Sequence, residues 1–180
     1  MIYVHFADGF EEIEAITAVD VLRRAGIETV SVSVTGDKTV QGSHEISVLT
    51  DILFEEADYG ACEMIVLPGG KRGAENLLAH NGLADKIKMF ADEKKYLAAI
   101  CAAPMVLGKM GLLKGKNATI YPGMEENLAG AKATGGRIVI DENIITAKGA
   151  GTAMEFAFAL VGILKSKEEA ARLRKSMVAV

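Results

Sequence analysis

Two side chains in this sequence have the type and the setting to do chemistry, and the first is Cys101. It lies within Tyr96-Leu97-Ala98-Ala99-Ile100-Cys101-Ala102-Ala103-Pro104-Met105-Val106-Leu107. The apolar run before it reads as a buried strand, and the segment after it as a helix that carries Pro104 in its first turn. Cys101 falls at the turn between them, and its neighbours are small, so nothing bulky crowds a nucleophile presented there. The first amides of the helix point at the sulfur, and that field favours thiolate over thiol. A lone cysteine more often packs as a small hydrophobe. The turn position favours the reactive reading.

Glu14 is the second. On the first predicted helix, positions 14, 18, 21, 22 and 25 share one face, and the others there are Ala18, Val21, Leu22 and Ala25. A carboxylate in an apolar stripe is costly unless partnered. Burial and a nearby thiolate both raise its pKa, which would leave a protonated acid that donates to sulfur. The alternative role for an acid here is to complement the helix N-terminus. Glu11 and Glu12 suit that role better, because they sit at the very start.

Pro68-Gly69-Gly70 follows a strand, and glycines there let backbone amides approach a ligand closely. The amides of Gly70 and Ala102 would form an oxyanion hole beside Cys101. The triplet is not a phosphate loop, which needs Lys-Ser or Lys-Thr at the right spacing. No histidine follows Cys101. His5 reads as a strand residue packed in the sheet and His80 as a helix-end residue. His44 sits in a hairpin and reaches a site only through folding or dimerisation. A Cys-His dyad is therefore not supported.

These groups have to be positioned by an alternation of strands and helices. Strands are predicted over Ile2-Phe6, Glu28-Val34, Met64-Leu67, Tyr96-Ile100, Ala118-Ile120, Arg137-Ile140 and Ile144-Thr146. A short hairpin joins Thr39-Val40 and Glu45-Leu49 around Gly42. Helices are predicted over Glu11-Ala25 (closed by Gly26), Leu83-Glu93, the segment after Cys101, Thr152-Leu164 and Glu168-Met177. Near-continuous apolar strands that alternate with helices imply a parallel sheet covered on both faces, in one domain over 1–180. Sites in such sheets form beyond the carboxyl ends of the strands. The loops that begin at Ala7, at Pro68 and at Cys101 all leave strand ends.

Composition narrows the classes. The 180 residues suffice for one domain with a large core, and half of them are hydrophobic. A net charge of -4 and the absence of a dense Lys/Arg cluster argue against nucleic acid as a partner. Met1-Ile2-Tyr3-Val4-His5-Phe6 has no basic flank or cleavage site, so no signal peptide is expected. No apolar stretch is long enough to span a bilayer. Two cysteines, Cys62 and Cys101, make neither a disulfide framework nor a CxxC pair, which suits a reducing cytoplasm. Three scattered histidines argue against a dedicated metal site.

Taken together, the motifs resemble the DJ-1/ThiJ/PfpI family over essentially the whole chain. The landmarks are Gly9-Phe10-Glu11-Glu12-Ile13-Glu14, Val19-Asp20-Val21-Leu22-Arg23-Arg24-Ala25-Gly26, and Val66-Leu67-Pro68-Gly69-Gly70 with Gly73-Ala74. Ala98-Ala99-Ile100-Cys101-Ala102-Ala103-Pro104 comes next, then Gly149-Ala150-Gly151-Thr152 before Glu155-Phe156-Ala157. The resemblance implies a flavodoxin-like parallel-sheet sandwich of the class I glutamine amidotransferase-like type. It implies that Cys101 is the elbow nucleophile, Glu14 its partner acid, and Gly70 and Ala102 the amide donors. The absence of a His directly after Cys101 is similar to the deglycase branch rather than the protease-like one. Human-type members carry His-Pro where this chain has Tyr121-Pro122. A family Arg is His44 here and another is Lys148, changes that would alter anion or product binding.

The function so implied is cofactor-free and metal-free. It is conversion of methylglyoxal to lactate in the manner of glyoxalase III, or deglycation of early glycated amines. The expected partners are a small aldehyde or glycated protein and a second copy of the chain, with the first helix near the dimer interface. The competing expectations are a redox sensor, in which Cys101 is oxidised to sulfinate, and a chaperone.

Overall fold

The computed structural model describes residues 1–179. In chain order the strands are β1 (Ile2–Phe6), β2 (Thr29–Ser33), β3 (Thr39–Gln41), β4 (Ser47–Leu49), β5 (Ile52–Leu53), β6 (Met64–Leu67), β7 (Tyr96–Ile100), β8 (Asn117–Ala118), β9 (Lys132–Ala133), β10 (Ile138–Asp141) and β11 (Ile144–Ala147). The helices are α1 (Glu12–Arg24), α2 (Lys71–Ala79), α3 (Asn81–Asp92), α4 (Pro104–Lys109), α5 (Ala153–Leu164) and α6 (Lys167–Ser176).

Seven strands form the main sheet in the order β10-β11-β7-β6-β1-β2-β5. Every neighbouring pair is parallel except β10 with β11, which pair antiparallel. The expectation of a parallel sheet therefore holds for six strands. At the edge, Glu142-Asn143 is too short a connection for a crossover, so β10 turns straight back as a hairpin. Both faces are covered. One buries Leu77, Leu83, Ile87, Phe90 and Val106 from α2, α3 and α4. The other buries Ala15, Ala18, Val21, Leu22, Phe156 and Leu160 from α1 and α5. That sandwich explains why β6 and most of β7 read as unbroken apolar runs rather than alternating ones.

The chain departs from the sequence reading elsewhere too, with β5 and β9 among the strands not expected. Helix α2 begins at Lys71 in a stretch read as loop. Gly73 lies within it and has to be glycine, because a Cβ there would lie 2.7 Å from the Phe10 backbone. The helix after Cys101 is only six residues long. The strand expected over Ala118-Ile120 contracts to β8, which pairs with β9 outside the main sheet. No helix among the described residues is long and apolar enough to cross a membrane.

Candidate active site

The sheet register delivers the site. Leu67 pairs with Ala99, so continuing both strands brings Gly69 level with Cys101 just beyond their carboxyl ends. Cys101 then turns sharply, with φ at +63°. A side chain with a Cβ rarely adopts that left-handed conformation, which costs about 1–2 kcal/mol. It is held there by its own backbone. The Cys101 N–H donates to the Ala147 carbonyl at 2.9 Å, and its carbonyl accepts the Tyr121 N–H at 2.8 Å. The sulfur-bearing residue is half-buried, whereas Cys62 lies fully in the core with its thiol donating to the Met64 carbonyl.

Helix α1 supplies Glu14, which is only 1% exposed. Its Oε2 accepts the Gly69 N–H at 2.7 Å. Its Oε1 is buried and has no hydrogen-bond partner among the described residues. Gly69 is the hinge between the two functional groups. A Cβ built on it would stand 2.6 Å from both the Cys101 Cβ and Glu14 Oε2, so thiol and acid face each other across its bare Cα. The neighbouring Gly70 has φ at +81°, and any side chain there would strike the Gly9 carbonyl.

The electrostatics follow from this packing. Burial pushes the Glu14 carboxyl up to about 7, against the Gly69 amide and the neighbouring Cys101 thiol, which favour its charge. Burial and the Glu14 charge push the Cys101 thiol up to about 12, while the amides of Gly70 and Ala102 pull it down. The amides favour the thiolate, as expected, but that expectation leaves out the burial and the acid that oppose it. Two amides, one at the entry to a six-residue helix, do not offset burial beside a carboxylate. What the pair offers instead is a single ionisation near neutrality, with Glu14 placed to take the thiol proton.

The remaining expected residues fall at different distances from the sulfur. Gly69, Gly70 and Ala102 meet it directly. Tyr121 is half-exposed beside the elbow, with its ring against Gly149. His44 is not brought to the sulfur but tied to Glu12. Its backbone N–H donates to Glu12 Oε1 at 2.6 Å, and its Nδ1 lies 2.8 Å from Oε2. That pairing raises the His44 pKa and holds Glu12 down at about 2, despite burial. Atoms of Glu11, Glu12 and His44 able to ligate a metal lie within 4.8 Å of one another, and His44 is the one histidine in that group. Lys148 donates to the Gly135 carbonyl. Sequence reasoning missed the Ala147 carbonyl, a backbone group that leaves no side-chain signal.

A cysteine at a strained strand-to-helix elbow, faced by a buried acid and two amides at the carboxyl ends of a doubly wound sheet, defines a cysteine-elbow α/β protein. The comparisons place it more narrowly. Residues 1–163 match the DJ-1/PfpI family, and the chain belongs to that family. It is 38% identical over 176 residues to Protein DJ-1 homolog B of Arabidopsis thaliana, covering 97% of this chain but only 40% of that longer protein. It is 30% identical over 161 residues to a deglycase of Pyrococcus abyssi, covering 88% of this chain and 96% of that one. The solved structure of oxidized Toxoplasma gondii DJ-1 superposes with a TM-score of 0.94 at 34% identity, covering 98% and 97% of the two chains. The fold is accordingly the flavodoxin-like, class I glutamine amidotransferase-like one.

Proposed function

We propose that the protein is a cofactor-free enzyme that converts small 2-oxoaldehydes such as methylglyoxal to 2-hydroxy acids, with deglycation of early glycated amines as the related activity. The observation that carries this reading is the unpartnered, buried Oε1 of Glu14 beside Cys101. A buried oxygen left without a donor is costly in a purely structural acid and useful in one that moves protons. The name of the archaeal relative supports the same chemical class.

In this mechanism the Glu14 carboxylate takes the thiol proton as the sulfur adds to the aldehyde carbon. The carbonyl oxygen becomes an alkoxide on the amides of Gly70 and Ala102, and Glu14 returns the proton to give a hemithioacetal. Glu14 then removes the proton from the sulfur-bearing carbon, the hemithioacetal hydroxyl proton passes to the adjacent carbonyl oxygen of the resulting enediolate, and Glu14 delivers its own proton to that second carbon. The product is a 2-hydroxy thioester. Water cleaves it, releasing the acid and the free thiol. Purified protein should form lactate from methylglyoxal, and Cys101→Ser and Glu14→Gln should each abolish it. Full turnover by Cys101→Ser would sink the mechanism.

A second reading is redox sensing. It is favoured by the contrast between the accessible Cys101 and the buried Cys62 and by the oxidized state of the Toxoplasma structure. Mass spectrometry after mild peroxide should then find oxygen on Cys101 first; Cys62 oxidising earlier counts against it. Either role is proposed for a homodimer. Ile13 and Ile16 of α1 and Ile46 and Leu49 of the β3-β4 hairpin are all exposed, a set that a second copy would cover. Ile13→Glu should shift the protein to monomer in light scattering.

A further inference from the structure

Beyond the carboxyl ends of β1 and β2 lies a polar cavity of about 400 Å³ that neither Cys101 nor Glu14 lines. Its walls carry Asp8, which follows β1, Thr35, which follows β2, Arg72 and Asn76 on α2, and His80, which links α2 to α3. Residues 72 and 76 stand one helical turn apart, so α2 aims both at the end of the sheet. A strip of backbone separates this cavity from the cysteine: the Gly9 carbonyl accepts the Gly73 N–H at 3.1 Å and packs against Gly70.

The polar groups are ordered, yet several are unspent. Arg72 lays its stem flat on Gly9, where a Cβ would come within 2.8–3.1 Å of the Arg72 Cβ, Cγ and Cδ. Gly9 has φ at +83°, so the bare backbone there both turns the chain and seats the arginine. Arg23, Arg24, Arg137 and Arg172 each form an ion pair; Arg72 forms none among the described residues. His80 Nδ1 accepts the Leu83 N–H at 3.0 Å, which leaves Nε2 to carry the proton of a neutral ring. Asn76 Nδ2 donates to the Asp8 carbonyl at 2.8 Å, leaving its Oδ1 free to accept. Asp8 Oδ1 accepts the Gln41 N–H at 3.1 Å, and its second oxygen has no such role. Thr35 is committed to Asp37 and Ser33.

Arg72 and Asp8 line one cavity without pairing with each other, so the site is mixed in charge. An anion alone would be drawn to Arg72 and repelled by Asp8. A ligand with a carboxylate on one carbon and a hydrogen-bond donor on the next satisfies both, the carboxylate taking the Arg72 fork and the donor meeting Asp8. We propose that this cavity binds a small 2-hydroxy or 2-amino acid, at a site separate from the cysteine and independent of the reaction there.

The test uses L-lactate and L-alanine as probes, with propionate as the carboxylate that lacks the donor. Amide shifts of Gly9, Arg72 and His80 are followed by NMR up to about 20 mM ligand, a range suited to a weak small-molecule site. Saturable shifts are expected with at least one of the first two probes, about tenfold weaker binding of propionate, and unchanged binding in Cys101→Ser. Arg72→Met should weaken binding at least tenfold without changing the thermal midpoint. Asp8→Asn should narrow the gap between lactate or alanine and propionate. The proposal is overturned by an absence of saturable shifts with both probes, by equal binding of propionate, or by unchanged affinity in Arg72→Met. Because the readout is binding, it survives a failure of the catalytic reading at Cys101.

Discussion

Glu14 should make this protein less stable as the pH rises through neutrality, and the size of the effect follows from its burial. Its carboxyl is pushed from 4.5 up to about 7 in the fold. Between those values the native state holds a proton that the unfolded chain has already released. Stability falls with pH wherever the native state binds more protons. The contribution is therefore fully present below about 4.5, declines across the window, and is gone above about 7. A shift of this size corresponds to about 3 kcal/mol. His44 moves in the same direction, because its raised pKa stabilises the fold only until its own proton leaves. The informative quantity is thus the difference between wild type and Glu14→Gln, since glutamine keeps an acceptor for the Gly69 N–H and cannot ionise. The chain has no tryptophan, so urea unfolding is best followed by far-UV circular dichroism, at one protein concentration for a candidate dimer. Glu14→Gln should gain on wild type by about 3 kcal/mol from pH 4.5 to 8. A difference that stays constant over that range would refute the assignment of Glu14 as a buried acid that ionises near neutrality.

Three further outcomes are expected. Gly69→Ala drives a methyl to within 2.6 Å of both Cys101 and Glu14, so turnover of methylglyoxal should fall about 100-fold through misplacement alone while stability drops by about 1–3 kcal/mol; wild-type thiol reactivity in this variant would show that the two groups do not meet across Gly69. Cys101→Gly should be about 1 kcal/mol more stable than Cys101→Ala in urea, because both lack the thiol but only alanine keeps a Cβ at a left-handed φ; equal stability would mean the elbow is unstrained. His44→Ala removes one of the hydrogen bonds that hold Glu12 at about 2. Glu12 stabilises the fold above its ordinary value of 4.5, and that contribution is lost as the pH falls through its folded value. The variant should therefore acid-unfold at a higher pH than wild type, and an unchanged acid midpoint would discard the His44-Glu12 link.

Much of this was legible in the sequence wherever a local pattern was itself the cause. Glu14 shares a helical face with Ala18, Val21 and Leu22, and that periodicity alone puts a carboxylate where burial raises its pKa. All four are buried. The small residues around Cys101 mark a turn that tolerates little else. Legibility stops where the cause is a contact between distant segments. The two glycines flanking Lys71-Arg72 look like loop punctuation. Gly73 is a helix residue kept small by the Phe10 backbone it crosses. His44 lies in a hairpin 32 residues from Glu12, and no spacing rule links them. The antiparallel turn-back of β10 depends on a connection two residues long, which composition does not weigh.

The same distinction separates the position of Cys101, which is legible in the sequence, from its charge, which is not. The position comes from the backbone, since strand, elbow and Pro104 at the first helical residue together fix where the sulfur lies. The charge comes from everything that faces the sulfur, and the largest contributions arrive from elsewhere in the chain. Burial and Glu14 oppose the thiolate, and the amides of Gly70 and Ala102 favour it. The balance leaves Glu14 ionising before the thiol, so the carboxylate that activates the nucleophile is itself a group whose charge burial opposes. Turnover at limiting substrate should then rise through pH 7 as Glu14 ionises, at the upper end of the interval in which its contribution to stability is lost. An activity profile flat between pH 5 and 8 would place the proton somewhere other than Glu14.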